Sequence, residues 1–531
     1  QVAPGQGGGF IADINRTHAV WAERAGELLD KIGPAVVMTH SAGGPFAWIA
    51  ANARPNLVMG LLPVEPAGPT FGNLRYGVAA SPLAFDPPIS DPSELKTVEV
   101  PAANSRIAYS IQAEPARKLK NFAGIPIAVT TSPASYHWPY DMGTVAFLKQ
   151  AGCNVTHIEL EKIGIAGNAH FMMMERNNRE VLQPILDFLD KTVTPYAQRK
   201  IASLTRKAPA IRTGDSTAIK LADFGNFWVG NEPRRMDYGV IAPAATFVQY
   251  LIPANVQHPL PIVLVHGGSA QMLHYMGNGD GMSGWAHHYV QAGYKVYLVD
   301  RPGHGRGVYH PENPGPIGPM PTYEALLPEF QRSAKGPNKQ WPGTGEMGDP
   351  LIDQFMASQN ALPANFQPTL SLGADHGALL LDKIGPAIVQ THSAAGTWGW
   401  LVAEARPNLC KAVVCFEGAG VPLIDGATGA RGANGAMGAG GGRGGRGNAE
   451  PTTRLLRGVN GMPMLYFTAE NSGRADGPAI VERLTASGAK AEHIFLKDRG
   501  LRGNGHLAML ENNRKEIHAL LRSWIEQNVK A

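Results

Sequence analysis

Short apolar runs alternate with amphipathic stretches along most of the chain. PIVLVHGG (261–268) is a continuous apolar run ending in Gly-Gly, which predicts a buried strand. MSGWAHHYVQAGY then has helical spacing, and KVYLVD is a second apolar run that stops at Arg301-Pro302-Gly303. Further runs, GPAIVQ, CKAVVCFEG, PMLYFTA and EHIFLK, are separated by helix-length segments, and a last amphipathic stretch closes the chain. Residues 217–258 predict a strand hairpin, with alternation in VIAPAATFVQYLIP. Buried strands alternating with helices predict an α/β fold, a mainly parallel central sheet with helices on both faces.

The pattern occurs twice. Residues 30–56 are DKIGPAVVMTHSAGGPFAWIAANARPN and residues 382–408 are DKIGPAIVQTHSAAGTWGWLVAEARPN. The repeat predicts two such domains in tandem, 1–192 and 217–531, packed as an intrachain pseudo-dimer and joined by a polar linker at 193–216. The first copy starts late: Gln1 aligns near Gln340, so roughly 130 residues of sheet in the second copy have no match in the first. The expectation is that an N-terminal fragment of the same precursor completes the first domain. The insertions also differ. Residues 66–120 have the aromatic and proline content of a structured cap, whereas 418–449 are glycine-rich and cannot carry a core.

Composition narrows the partners. The chain has 531 residues, 44% of them hydrophobic, and a net charge of +4, with no basic cluster interleaved with aromatics, so nucleic acid is not an expected partner. No apolar run reaches the ~18 residues of a membrane span. Cys153, Cys410 and Cys415 are too few for a disulfide framework and are expected to be buried, with Cys410 and Cys415 on opposite faces of one strand.

Each copy carries a strand–turn–helix with a serine at the turn: Thr39-His40-Ser41-Ala42-Gly43 and Thr391-His392-Ser393-Ala394-Ala395. A nucleophile on such a turn sits in strained backbone and needs small neighbours two positions away. A serine also needs a base. His170 in GNAHFMMMERNN and His506 in GNGHLAMLENN follow the last strand of each copy, as a Ser–acid–His order requires. His40 and His392 adjoin the serine and are expected to pack beneath the site. For the acid, Glu470 follows one candidate strand, but Pro133 stands at the matching place in the first copy. Asp141 and Asp476 match each other but are more simply N-caps. Glu65 and Glu417 each lie 24 residues after the serine and are assigned as the acids. An oxyanion hole needs two N–H donors. One is expected from Ala42 or Ala394 and the other from Gly268 or Ser269, which has no match in the first copy.

The second copy's HGG, YLVDRPGHGR, THSAAG, FEGAG and GNGH, with the first copy's THSAGG, VEPAGP, RYGVAASPLAFDPP and GNAH, resemble the α/β-hydrolase superfamily. Within it they are similar to a bacterial esterase group with a Ser-Glu-His triad in this order. The resemblance covers nearly all of 217–531 and most of 1–192. It implies hydrolysis of a small-molecule carboxylic ester through an acyl-enzyme, without metal or cofactor, in a secreted or periplasmic setting. The same triad could open a lactone, cleave an amide or cleave a carbon–carbon bond next to a ketone. The first copy could also serve as a non-catalytic packing or binding partner.

Overall fold

A computed structural model describes residues 13–102, 107–204, 218–243, 245–311, 316–364, 367–418 and 455–530. It divides into two compact units, residues 8–211 and residues 212–531 together with 1–7.

In unit 8–211 the apolar runs form four strands: β1 (Ala35–His40), β2 (Val58–Val64), β3 (Pro126–Thr131) and β4 (Asn154–Glu159). They pair in that order, all parallel. Leu61, Ile127 and Val129 face one apolar cluster, with α2 (Gly44–Ala53) and α3 (Trp138–Gln150). Leu62, Val64 and Ala128 face the other, against α4 (Asn178–Phe188). β1 is an edge strand: Val36 is 39% exposed and Met38 53%. Residues 66–120, expected to be a structured cap, hold two short antiparallel pairs.

The main sheet of unit 212–531 has eight strands among the described residues. β5 (Leu221–Val229) and β6 (Thr246–Pro253) are the expected hairpin, paired antiparallel. The others are β7 (Ile262–Val265), β8 (Val296–Asp300), β9 (Ala387–His392), β10 (Cys410–Phe416), β11 (Pro463–Thr468) and β12 (Lys490–Phe495). The order is β12-β11-β10-β9-β7-β8-β6-β5, parallel from β12 through β8. β9 is therefore central, and its Ile388 and Gln390 are 1% and 0% exposed where Val36 and Met38 lie open. The Tyr289 hydroxyl donates to Gln390 Oε1 there at 2.6 Å.

Three expectations need correction. Residues 193–216 are not linker throughout. Val193 is buried against Gly60, and Thr194–Ala202 is a helix whose Lys200 donates to the Pro55 carbonyl, because apolar Val193 and the run to Ala202 continue the α4 pattern. Cys410 and Cys415 lie on the same face, in one cluster. Pairing shifts between Ala387 and Ile388, which takes up one extra residue after Cys410 and resets the alternation. Asp141 is not an N-cap. His137 holds that position, and Asp141 is buried one turn into α3, accepting from the Thr131 hydroxyl at 2.8 Å. Asp476 does stand at an N-cap but makes no side-chain cap bond. Of the glycine-rich segment, residues 419–449 lie outside the described residues.

The late loop of unit 212–531 is anchored from below. Arg514, fully buried at the start of the C-terminal helix (Arg514–Asn528), pairs with Asp280 and donates to the Glu511 carbonyl. Asn278 donates to the Leu510 carbonyl and Trp285 to that of Arg514. Removing one partner strands the other charge in the interior. Asp280→Ala is expected to lower the free energy of urea unfolding of this unit by about 3 kcal/mol.

Candidate active site

The two serines sit where strand turns to helix. Ser41 follows β1 with φ 55° and Ser393 follows β9 with φ 52°. A positive φ is uncommon outside glycine and costs on the order of 1–3 kcal/mol. Seven non-glycine residues among those described have it, and five are site candidates: Ser41, Glu65, Ser269, Ser393 and Glu417. The crowded neighbour is not the one expected. A Cβ on Gly43 would meet nothing nearer than 3.9 Å, which is why Ala395 fits at the matching place. A Cβ on Gly44 would come within 2.4 Å of Pro66, and in the other unit a Cβ on Gly418 would come within 2.8 Å of the matching Gly396. The constraint thus falls three residues after the serine, where the helix passes the loop that carries the acid.

The residues singled out as serine, base and acid come together in both units. In unit 212–531, His506 Nε2 is 3.0 Å from Ser393 Oγ and Nδ1 is 2.6 Å from Glu417 Oε2. In unit 8–211, His170 Nε2 is 2.8 Å from Ser41 Oγ and Nδ1 is 2.6 Å from Glu65 Oε2. Both glutamates are fully buried. Glu417 Oε1 accepts from the Ala469 amide at 2.7 Å. Burial pushes its carboxyl up to about 7, against the downward pull of Ala469, Ser472 and Arg474. Glu65 accepts from the amide and hydroxyl of Ser132, at 2.9 and 2.5 Å, and from Ser135 Oγ at 2.5 Å. Glu470 is held apart, by Arg502 at 2.7 Å and the Gly503 amide at 3.0 Å.

His40 and His392 point away from the serine, as expected. Their Nε2 atoms lie 2.9 Å from the backbone carbonyls of His170 and His506. That bond requires Nε2–H and fixes the peptide that carries the base. In unit 212–531 the His-Gly-Gly turn lies beside the elbow. A Cβ on Gly267 would come within 3.1 Å of Ser393 Cβ and 2.9 Å of His392 Nδ1, so only glycine allows this approach. Arg301 holds the turn, its Nη2 donating to the Gly267 carbonyl at 2.6 Å and its backbone N–H to His266 Nε2. Asp300 accepts from the Met272 and Arg306 amides. The YLVDRPGHGR segment thus braces the turn bearing Gly268 and Ser269. Ala394 follows the serine at the start of its helix, and Ala42 follows Ser41 in a 3-10 turn.

A further set of residues lies within the late-loop motifs. In GNGHLAMLENN, the fully buried Glu511 accepts from the Gly505 amide at 2.9 Å and from Asn504 Nδ2 at 2.7 Å, and Asn504 also binds Asn513. Glu175, Asn168 and Asn177 repeat the arrangement in unit 8–211. The shared Asn and Glu spacing was the available signal. Among the described residues no group of three or more His, Cys, Asp or Glu is placed to hold a metal ion, and no helix is long and apolar enough to cross a membrane.

Glu511→Ala leaves the buried Gly505 amide and Asn504 side chain without their acceptor. The expected cost is about 1–3 kcal/mol, seen as a lower thermal midpoint. A smaller loss is expected for Glu175→Ala in the other unit, where the Ala169 amide is exposed to water.

No family model matches the chain. A fungal protein (Fungal sp. strain ATCC 74256) described as a probable secreted lipase, phiG, is 31% identical over 316 residues, spanning 53% of this chain and 85% of the relative. Among solved structures, a bacterial esterase described as novel is 20% identical, covering 61% of this chain and all of that one, with TM-score 0.44. The naproxen esterase of Bacillus subtilis is 13% identical over 57% of this chain and 92% of that one, with TM-score 0.28. On the extent of its match to the fungal protein, the chain belongs to the family of that probable secreted lipase, among the carboxylesterase-type hydrolases.

Proposed function

We propose that the chain is a secreted serine hydrolase of small carboxylic esters, built from two tandem copies of one α/β-hydrolase domain, each with a Ser-His-Glu triad. The observation that carries the reading is the continuous serine–imidazole–carboxylate hydrogen bonding, with the serine at positive φ, in both units. Export rests on the description of the fungal relative.

Ser393 Oγ attacks the ester carbonyl as His506 Nε2 takes its proton. Glu417 accepts from Nδ1–H, fixes the tautomer and stabilises the imidazolium. His506 then returns the proton to the departing alcohol, leaving an acyl-serine. Water, deprotonated by the same nitrogen, releases the acid. The oxyanion is held by the N–H of Ala394 and that of Gly268 or Ser269. Ser41, His170 and Glu65 take the same parts in the other copy, with Ala42 as one donor.

A second reading for the first copy has its own support. Among the described residues of unit 8–211 no His-Gly-Gly turn stands beside Ser41, and β1 is an open edge. With one oxyanion donor, turnover there falls by about 10²–10³, and the unit then serves mainly as a binding or packing partner.

Labelling with a fluorophosphonate and mapping the modified peptides separates the readings. Modification of both Ser41 and Ser393 supports two sites, modification of Ser393 alone supports one, and modification of neither overturns the proposal. In a Ser41→Ala background, Glu417→Gln is expected to reduce kcat by about 10²–10⁴ and Glu470→Gln by less than about twofold. The reverse order would transfer the acid's role to Glu470.

A further inference from the structure

In both units a flat side chain lies over the base, two residues after a serine that serves the acid. In unit 8–211 it is His137, after Ser135. Its ring is stacked on His170, with centroids 4.2 Å apart and planes 7° apart. In unit 212–531 the same place, after Ser472, is taken by Arg474. Its Nε lies 3.2 Å from His506 Nδ1 and an Nη 3.3 Å from Nε2. Both ring nitrogens already have partners in the ring plane, Glu417 and Ser393. The guanidinium therefore lies across the ring face. It is also 3.7 Å from Glu417 Oε2.

We propose that Arg474 is a positioning residue of the second site: its guanidinium, stacked on His506, holds the imidazole between Ser393 and Glu417 and keeps it unprotonated into acid. His137 gives the first site the stack without a permanent charge. The inference rests on the triad reading above.

The charges around His506 favour this assignment. Glu417, at the end of β10, is the acid bonded to the ring and favours the imidazolium, while Glu329 and Asp476 lie beside Arg332 and Arg474. Arg474, from the loop after β11, opposes it at contact distance. So does Arg332, from the helix Tyr323–Lys335, which is itself bound to Glu329 and to the Ser472 carbonyl. His392, at the end of β9, is pushed well below its ordinary value by burial. Burial and the two guanidinium groups hold His506 well below its ordinary value. Arg474 is partly open, on the wall of a cavity of about 300 Å³ shared with Glu329, Arg332 and Asp476. Its substitution therefore leaves the core intact.

The test is the pH profile of kcat/KM for a short-chain p-nitrophenyl ester in the Ser41→Ala protein. Arg474→His is expected to move the acid limb upward by about one unit, a roughly tenfold loss below the limb. Arg474→Lys, which keeps the charge and loses the flat stack, is expected to hold the limb and lower kcat. An acid limb in Arg474→His that coincides with that of the parent overturns the proposal. If Arg474→His does not fold, Arg474→Gln, which also removes the charge, is read the same way. Ser393→Ala in this background must abolish turnover. Turnover that survives it, or a Ser41→Ala parent with none, overturns the triad reading itself.

Discussion

Glu65 and Glu417 are carboxylates with no solvent exposure, and an unpaired charge so placed costs several kcal/mol. Each is bound from two directions. The end of the neighbouring strand supplies an amide, Ser132 or Ala469, and the late loop supplies an imidazole. Neither set of donors forms unless two neighbouring strand ends and the loop after the last strand converge. The carboxylate therefore does more than bind an imidazole. It ties the order of the strands to the position of the histidine, and the positive φ at both glutamates shows that backbone strain is accepted to aim them.

The two units meet that constraint with different chemistry. Around Glu65 the donors beside the histidine are two hydroxyls and an amide, all neutral. Around Glu417 one amide and the Ser472 hydroxyl are joined by an arginine, so a positive charge lies within the site. The repeat preserves geometry more strictly than electrostatics, because distances decide whether proton transfer is possible while charges decide only at which pH.

The strands, the elbows, both late histidines and the 24-residue spacing of the acids were legible because each leaves a local or repeated mark. An apolar run ending at a turn must be buried, Ser393 and Glu417 have counterparts at the same spacing, and His506 has one in a matched loop after the last strand. What was not legible is relational. Arg474 has no counterpart of its own type, and its neighbour is 32 residues away in sequence. Asp141 resembled a cap because helix starts and buried hydrogen-bonded acids look alike in one dimension. The face of Cys410 depended on a shift in strand pairing that composition does not record.

The open space beside Gly43 and the closed space beside Gly44 bear on how such turns are recognised. The usual signature asks for small residues two places before and two places after the nucleophile. Here the preceding place holds Thr39 or Thr391, and the following one tolerates Ala395. The glycine that cannot drift is the third, since any side chain there would collide with the acid's own loop. A search profile anchored on that third glycine, with the glutamate 24 residues on, would retrieve both copies, whereas the customary pentapeptide would discard both.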